Sequence, residues 1–255
     1  MPTFLTTNAL VLSRHPWSET SQIVTLLTPS LGKVGVVARG ARKMTSEFGP
    51  ALEPITEAQV VLSLSSRSDL ANVRSADVEE HFPNIRRSLV KISLASALCE
   101  LAERAVAEGE PNEPLYGHLR QGFAGMDQAQ ERLAVNWLWR AAIDVAADLG
   151  YGMQFDRCVR CRARNRPHPG FSSAEGGPVC PDCRAEGDQT WLAETQETLG
   201  RLAAELPDGV AGRRIRKRVN WDIRTLFEQY FRYHIPNFDR FRSLEMLADT
   251  QRAPA

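Results

Sequence analysis

The sequence predicts an α+β chain of two parts, a small β-barrel followed by a helical region into which a metal-binding loop is inserted. Three observations carry this. The first 80 residues hold short runs rich in β-branched side chains, separated by turn residues. From about Asn84 the apolar residues recur at helical spacing. Between Phe155 and Asp188, two Cys-x-x-Cys pairs, Cys158/Cys161 and Cys180/Cys183, flank a polar loop bearing Gly and Pro.

The strands come first. Ala9–Leu12, Gln22–Leu27 and Val34–Ala38 are bounded by turn residues at Ser13–Ser18 and Pro29–Gly32. After breaks at Arg39-Gly40 and Phe48-Gly49-Pro50 come two more runs, Glu57–Leu64 and Leu70–Val78. Five short strands in residues 1–80 suit a closed barrel of the OB-fold kind, with an SH3-like barrel as the near alternative. Ala41–Phe48 is expected to form one short helix between the third and fourth strands.

The helical domain is expected over residues 84–255. Its first helix runs through Ile85, Leu89, Ile92, Leu98 and Ala105 and stops at Glu108–Asn112. A second spans Pro114–Gly125, and a third runs from an Asp127 N-cap to Leu149, with Gly150 as its stop. Helical pattern resumes at Glu194–Leu206, halts at Pro207-Asp208-Gly209, and runs again from Gly212 to Tyr233 before Pro236. A last short helix covers Phe241–Ala248, and the tail Thr250–Ala255 is expected to fray.

The insertion, residues 155–188, is the most specific chemical signal. A two-residue gap lets the chain turn back so that both thiolates of a pair reach one ion about 2.3 Å away, and two such knuckles close a tetrahedral four-sulfur shell. No position remains for water, so the zinc implied by this spacing, one per chain, is structural. The segment has few large apolar residues, and metal binding is expected to supply its folding free energy. His168 lies in the loop as a possible substitute ligand, but with four cysteines present it is expected to be solvated. Two disulfides would need an oxidising compartment, and a redox pair would need a single Cys-x-x-Cys beside a βαβ pattern. The fifth cysteine, Cys99, sits among apolar neighbours as a buried free thiol.

Lys and Arg total 31 and so do Asp and Glu, which leaves no global polyanion signal. No stretch resembles a signal peptide, and no apolar run approaches the ~20 residues of a membrane span, so a cytoplasmic protein is expected. No G-x-x-x-x-G-K-[ST] loop and no G-x-S-x-G elbow occurs, and the five histidines are scattered. These absences argue against an enzyme. Basic residues do collect locally. Arg39, Arg42 and Lys43 follow the third strand, with Lys33 one strand-length earlier. Arg213, Arg214, Arg216, Lys217 and Arg218 form a run that, as a helix, would place Arg213, Arg216 and Lys217 on one face. Arg157, Arg160, Arg162, Arg164 and Arg166 line the cysteine loop. On an OB-like barrel the first cluster reads as a DNA phosphate surface. Phe4, Trp17 and Phe48 are the aromatic candidates for base stacking.

Residues 7–54 carry a resemblance. Thr7-Asn8-Ala9-Leu10-Val11-Leu12, Glu19-Thr20-Ser21, Leu26-Leu27-Thr28, Gly32-Lys33, Val37-Ala38-Arg39-Gly40-Ala41-Arg42-Lys43 and Leu52-Glu53-Pro54 resemble the opening of the RecO recombination-mediator family. The order of barrel, helices, cysteine-rich insertion and final helices is also similar to that family. The resemblance implies a non-catalytic DNA repair protein that binds single- and double-stranded DNA and anneals complementary strands. With RecR, it would help RecA replace single-stranded-DNA-binding protein. It further implies an apolar groove near basic side chains, in the helical half, for that protein's acidic tail. A zinc-stabilised protein-interaction adaptor with weak nucleic-acid affinity is the competing expectation.

Overall fold

The computed structural model describes residues 3–46, 48–64, 70–164, 168–204, 207–210 and 212–252. Five strands, β1 (Thr3–Pro16), β2 (Gln22–Thr28), β3 (Gly32–Ala38), β4 (Glu57–Leu64) and β5 (Ala71–Glu80), close a barrel in the order β1-β2-β3-β5-β4. Neighbours are antiparallel except β3 and β5, which meet in parallel at Val36↔Ala71. This is the OB-fold arrangement. β1 serves two partners along its length: Thr3–Leu10 pairs with β4, and Leu10–Pro16 pairs with β2 across a bulge at Val11/Ser13. That double duty extends β1 through Ser13–Pro16, where the sequence reads as a turn, and Pro16 is tolerated as its last residue.

The run Ala9-Leu10-Val11-Leu12 has no polar alternation because both faces of β1 are covered. Ala9 and Val11 point into the barrel with Val24, Leu26, Val36, Val60 and Leu62. Leu10 and Leu12, with Leu27 and Ile55, face outward into the core of the helices. Of the segment expected as a helix, Ala41–Phe48, the described residues 41–46 and 48 form turns and bends, and a single 3-10 turn follows at Gly49–Leu52. Gly40, at φ +75°, turns the chain so that Lys43 N–H reaches the Gly40 carbonyl at 3.0 Å.

Helices begin with α1 (Pro83–Arg86) and α2 (Leu89–Ala105), which the sequence reads as one. Ser88 breaks them: its backbone is extended and its hydroxyl accepts the Lys91 N–H, capping α2. α3 (Glu113–Gln128) and α4 (Ala134–Asp148) pack against each other and α2. Asp127 is not the cap of α4. It lies in the last turn of α3, buried, and its carboxylate accepts the Asn84 and Ile85 N–H groups at 2.7 and 2.9 Å, capping α1 from across the fold. A 3-10 turn over Glu131–Leu133 leads into α4 instead.

After the insertion come α5 (Ala193–Ala204), the single turn α6 (Pro207–Val210) where the sequence predicts a halt, α7 (Lys217–His234) and α8 (Arg242–Arg252). Trp139 of α4 stacks on Phe227 of α7 at 5.4 Å, and Phe241 meets it edge-on. Residues 212–216 are not helical, so the face shared by Arg213, Arg216 and Lys217 does not exist. The reason is Asn136, fully buried on α4: its amide donates to the carbonyls of Val210 and Arg213 at 2.7 and 2.8 Å, while Ile215 is buried. Those carbonyls are taken by a side chain and not by a helix.

Polar contacts fasten the barrel to the helices, among them the Ser13 hydroxyl donating to the Glu103 carboxylate at 2.6 Å and three further sets. Arg86 donates to the carbonyls of Pro54 and Ile55 and to the Thr56 hydroxyl. Glu57, buried at the start of β4, accepts from the Tyr116 hydroxyl at 2.8 Å and from Arg120 at 2.7 Å. Burial, and then the bond to Glu57, raises the Tyr116 pKa well above the ordinary phenol value. In the third set Gly32 and Lys33 meet the chain after α2. Gly109 N–H donates to the Lys33 carbonyl at 3.0 Å, and the Lys33 ammonium donates to the Glu103 carbonyl at 2.6 Å.

Candidate metal centre and nucleic-acid interface

The insertion is built on two tight turns facing a small sheet. In the first knuckle, Arg162 N–H returns to the Cys158 carbonyl at 3.0 Å and Cys158 N–H to the Ala163 carbonyl at 2.9 Å, with Arg162 in the left-handed region at φ +65°. The second is a 3-10 turn, Pro181–Cys183. Behind them β6 (Gly170–Ser172) pairs with β7 (Gly177–Val179) and β8 (Gln189–Thr190). Val159 N–H donates to the Pro178 carbonyl at 2.8 Å, which locks the first knuckle to the sheet.

These turns bring Cys158, Cys161, Cys180 and Cys183 together, every sulfur within 4.8 Å of the others. Four sulfurs about 2.3 Å from one ion stand roughly 3.8 Å apart at a tetrahedral angle. The Cys161 and Cys180 sulfurs are 3.7 Å apart, so the set fits a tetrahedral metal ion. Burial opposes ionisation of Cys158, but backbone N–H groups of Cys161, Cys180 and Arg160 aim at it and hold its pKa down to about 6. Hydrogen bonding to Cys180 and Cys161 pushes Cys183 up to about 12. A cation bound by these sulfurs would displace thiol protons, so its uptake should release protons.

His168 is buried, against the expectation that it is solvated, and it stands outside the sulfur cluster. Its Nε2 lies 3.0 Å from the Ala163 carbonyl and its Nδ1 3.3 Å from the Gln196 amide. It seats the loop on α5. Phe171 does the same on the other side, packed against Trp191 at 5.1 Å and Tyr230 at 6.1 Å. The insertion is therefore sewn into the helical core rather than hung from it.

The basic loop of the insertion is largely neutralised by its own carboxylates. Arg160 pairs with Glu175 and Asp188, both at 2.7 Å, and Arg157 and Arg164 pair with Asp156 at 3.2 and 3.1 Å. Arg166 lies outside the described residues. The charge that remains available is elsewhere. Arg39, Arg42 and Lys43 are exposed at the end of β3, and none has a carboxylate partner among the described residues. Arg42 is fixed by its own bonds to the hairpin tip, its N–H to the Thr20 carbonyl at 3.1 Å and its guanidinium to the Ser18 carbonyl at 2.6 Å.

Lys33 does not stand with them. It begins β3 where they end it, roughly 20 Å away at ~3.3 Å per residue, and its ammonium is bound to the Glu103 carbonyl. In the second cluster Arg216 pairs with Glu194 at 3.2 Å, while Arg213, Arg214, Lys217 and Arg218 are exposed with no carboxylate partner among the described residues. Of the aromatic candidates, Phe48 packs half-buried on the barrel core. Phe4 is exposed on the strand face with Arg74 over its ring at 5.8 Å, and Trp17 is exposed at the hairpin tip.

A groove of about 230 Å³ lies between α2, α4, α7 and α8. Leu94, Val135, Trp139, Trp221, Leu244 and Leu247 line it, and Lys217 and Arg224 stand at its rim. No run of the sequence marks it, because its walls come from four helices.

Among the described residues no helix is long and apolar enough to cross a membrane. Two family models match the chain: "Recombination protein O N terminal" over residues 1–82 and "Recombination protein O C terminal" over residues 86–245. The chain is 31% identical to the DNA repair protein RecO of Nocardioides over 255 residues, covering 96% of this chain and 98% of that one. It is 33% identical to the DNA repair protein RecO of Geobacter metallireducens over 204 residues, covering 78% and 80%. To that of Pelotomaculum thermopropionicum it is 32% identical over 234 residues, covering 89% and 88%. Matched in both halves by family models and along nearly its whole length by such relatives, the chain belongs to the RecO family.

Proposed function

We propose that this chain is a non-catalytic DNA-binding recombination mediator of DNA repair, working in the bacterial cytoplasm at the nucleoid. In this reading it binds single- and double-stranded DNA, anneals complementary strands and, with RecR, helps RecA replace single-stranded-DNA-binding protein. No nucleotide is consumed, and the four cysteines hold one structural zinc. The observation that carries the reading is the set of exposed cations, Arg39, Arg42 and Lys43, on the barrel of a chain whose relatives are DNA repair proteins. Arg213, Arg214, Lys217 and Arg218 would continue the phosphate path over the helices.

Such contacts bind phosphates and carry no base information, so affinity should not depend on sequence. It should fall steeply with salt, because each neutralised phosphate releases counterion. Arg39→Ala with Arg42→Ala is expected to lower the salt slope by about one per lost contact and to weaken binding uniformly across sequences. Salt-titrated binding to single and double strands checks this, with Arg213→Ala plus Arg214→Ala as the parallel variant. Binding that is weak and indifferent to salt in the unmodified protein would leave the adaptor reading standing. An effect from the second pair alone would move the site to the helices.

The groove beside α7 and α8 supports the partner half of the reading. An acidic tail with an apolar end needs an apolar slot and cations beside it, and here Trp221 and Leu247 line the slot with Lys217 and with Arg224, which also pairs with Glu228 at 2.8 Å. A tail peptide of single-stranded-DNA-binding protein is expected to bind at low salt and to lose about tenfold or more in affinity with Trp221→Ala, by fluorescence anisotropy. No binding at low salt rules the groove out.

A further inference from the structure

Trp17 is 63% exposed, at the tip of the hairpin that joins β1 to β2. The tip is braced. Trp17 N–H donates to the Ser21 carbonyl at 3.0 Å, Ser18 N–H to the same carbonyl at 3.2 Å, and Ser21 N–H returns to the Ser18 hydroxyl at 3.1 Å. The loop after β3 is tied to this turn by the two bonds of Arg42 to Thr20 and Ser18. Arg39 follows Ala38, which pairs with Gln22 at the foot of the same hairpin. The indole and the three cations are thus carried by one unit of backbone, with Glu19 the carboxylate of its tip and Met44 fully exposed beside it.

An indole this exposed packs little on its own chain, and cations on the adjoining loop make the place favourable to an anion that also has an apolar face. Single-stranded nucleic acid has that combination: a charged backbone, and unpaired bases whose faces stack on aromatic rings. In a duplex those faces are already covered by neighbouring base pairs, and the indole gains nothing without unstacking them. We propose that Trp17 is a base-stacking platform that makes this end of the barrel selective for single strands, the phosphates running along Arg39, Arg42 and Lys43 while an unpaired base lies on the indole. This rests on the reading that the barrel end follows phosphates.

The test uses full-length, metal-loaded protein, a labelled oligothymidylate and a duplex of equal length, each titrated across salt. Trp17→Ala is expected to weaken oligothymidylate binding about ten- to hundredfold and leave the duplex unchanged. The salt slope should stay the same, since no phosphate contact is lost. Trp17→Phe should recover most of the loss, because a ring is kept. Tyr233→Ala, at an equally exposed aromatic residue of α7, should change neither ligand. A Trp17→Ala protein that binds oligothymidylate like the parent, or that loses single strands and duplex by the same factor, overturns the proposal. The Arg39→Ala, Arg42→Ala protein separates the two levels. If it loses affinity while Trp17→Ala does not, stacking falls and the phosphate surface stands. If neither variant changes binding, both fall together.

Discussion

Cys158→Ser is expected to yield protein without bound metal, in which the segment from Met153 to Trp191 loses its fixed structure while the barrel strands keep theirs. Among the described residues, the buried apolar cluster of the knuckles is Cys158, Val179 and Cys180, with Val159 and Cys183 partly covered. Phe155, Phe171 and Trp191 of the segment pack in the helical core instead, so the knuckles themselves bury apolar surface contributing a few kcal/mol at most, whereas zinc held by four ligands in small peptides contributes about 10–16 kcal/mol at neutral pH. A metal held there would therefore decide whether the knuckles fold. The damage should spread to α5, because Trp191 and Phe171 lie between the insertion and Tyr230 of α7, and Gln196 of α5 bonds to the Phe155 carbonyl. The barrel interior is a separate cluster with no residue from the insertion and should be spared. Metal analysis should find one zinc per chain in the parent and none in the variant. Amide exchange should show fast exchange over residues 153–191 with protected β1–β5. Parent protein purified under reducing conditions without zinc would sink the prediction, and so would a variant with native protection in the insertion.

Gly32→Ala should be among the most damaging single-methyl changes in the chain. Gly32 sits at φ +63°, and a Cβ there would stand 1.9 Å from the Glu110 carbonyl oxygen and 2.4 Å from its carbon. Both are backbone atoms of the segment that β3 abuts, so neither can rotate away. Left-handed backbone costs a non-glycine residue about 1–2 kcal/mol, and forced overpacking about 1–3 more. A loss of roughly 3 kcal/mol or more, or ~6–12 °C in Tm, is expected for a chain of this size. Gly109→Ala is the control. It has φ +73° but nothing within 4 Å of the added carbon, so only the backbone term of about 1 kcal/mol applies. Thermal unfolding of the two variants side by side checks the argument. Equal shifts would mean that the barrel and the loop after α2 are not in contact as described.

What the sequence disclosed and what it hid divide along a physical line. The strands and the four cysteines were legible because their signals are local: β-branched runs between turn residues, and a spacing fixed by the reach of a thiolate. Signals that depend on a distant partner were not. Asp127 looks like an N-cap and is one, but for α1, more than 40 positions back, and no local pattern distinguishes the two. Arg213–Lys217 has good helix formers, yet Asn136 takes the backbone carbonyls a helix would need. Lys33 and Arg39 are close in sequence, and an extended strand sets them at opposite ends of β3. The groove of Leu94, Trp139, Trp221 and Leu247 comes from four helices and has no sequence signature at all.

The outer face of β1 carries a hazard during synthesis. Leu10 and Leu12, with Leu27 and Ile55, are covered only by helices that the ribosome makes later. Until α2 and α3 have emerged, a barrel that has closed correctly still presents a patch of aliphatic side chains to the surrounding solution. A nascent chain stalled after β5 should therefore stick to its neighbours or occupy a chaperone, although every strand is paired and the barrel has no open edge.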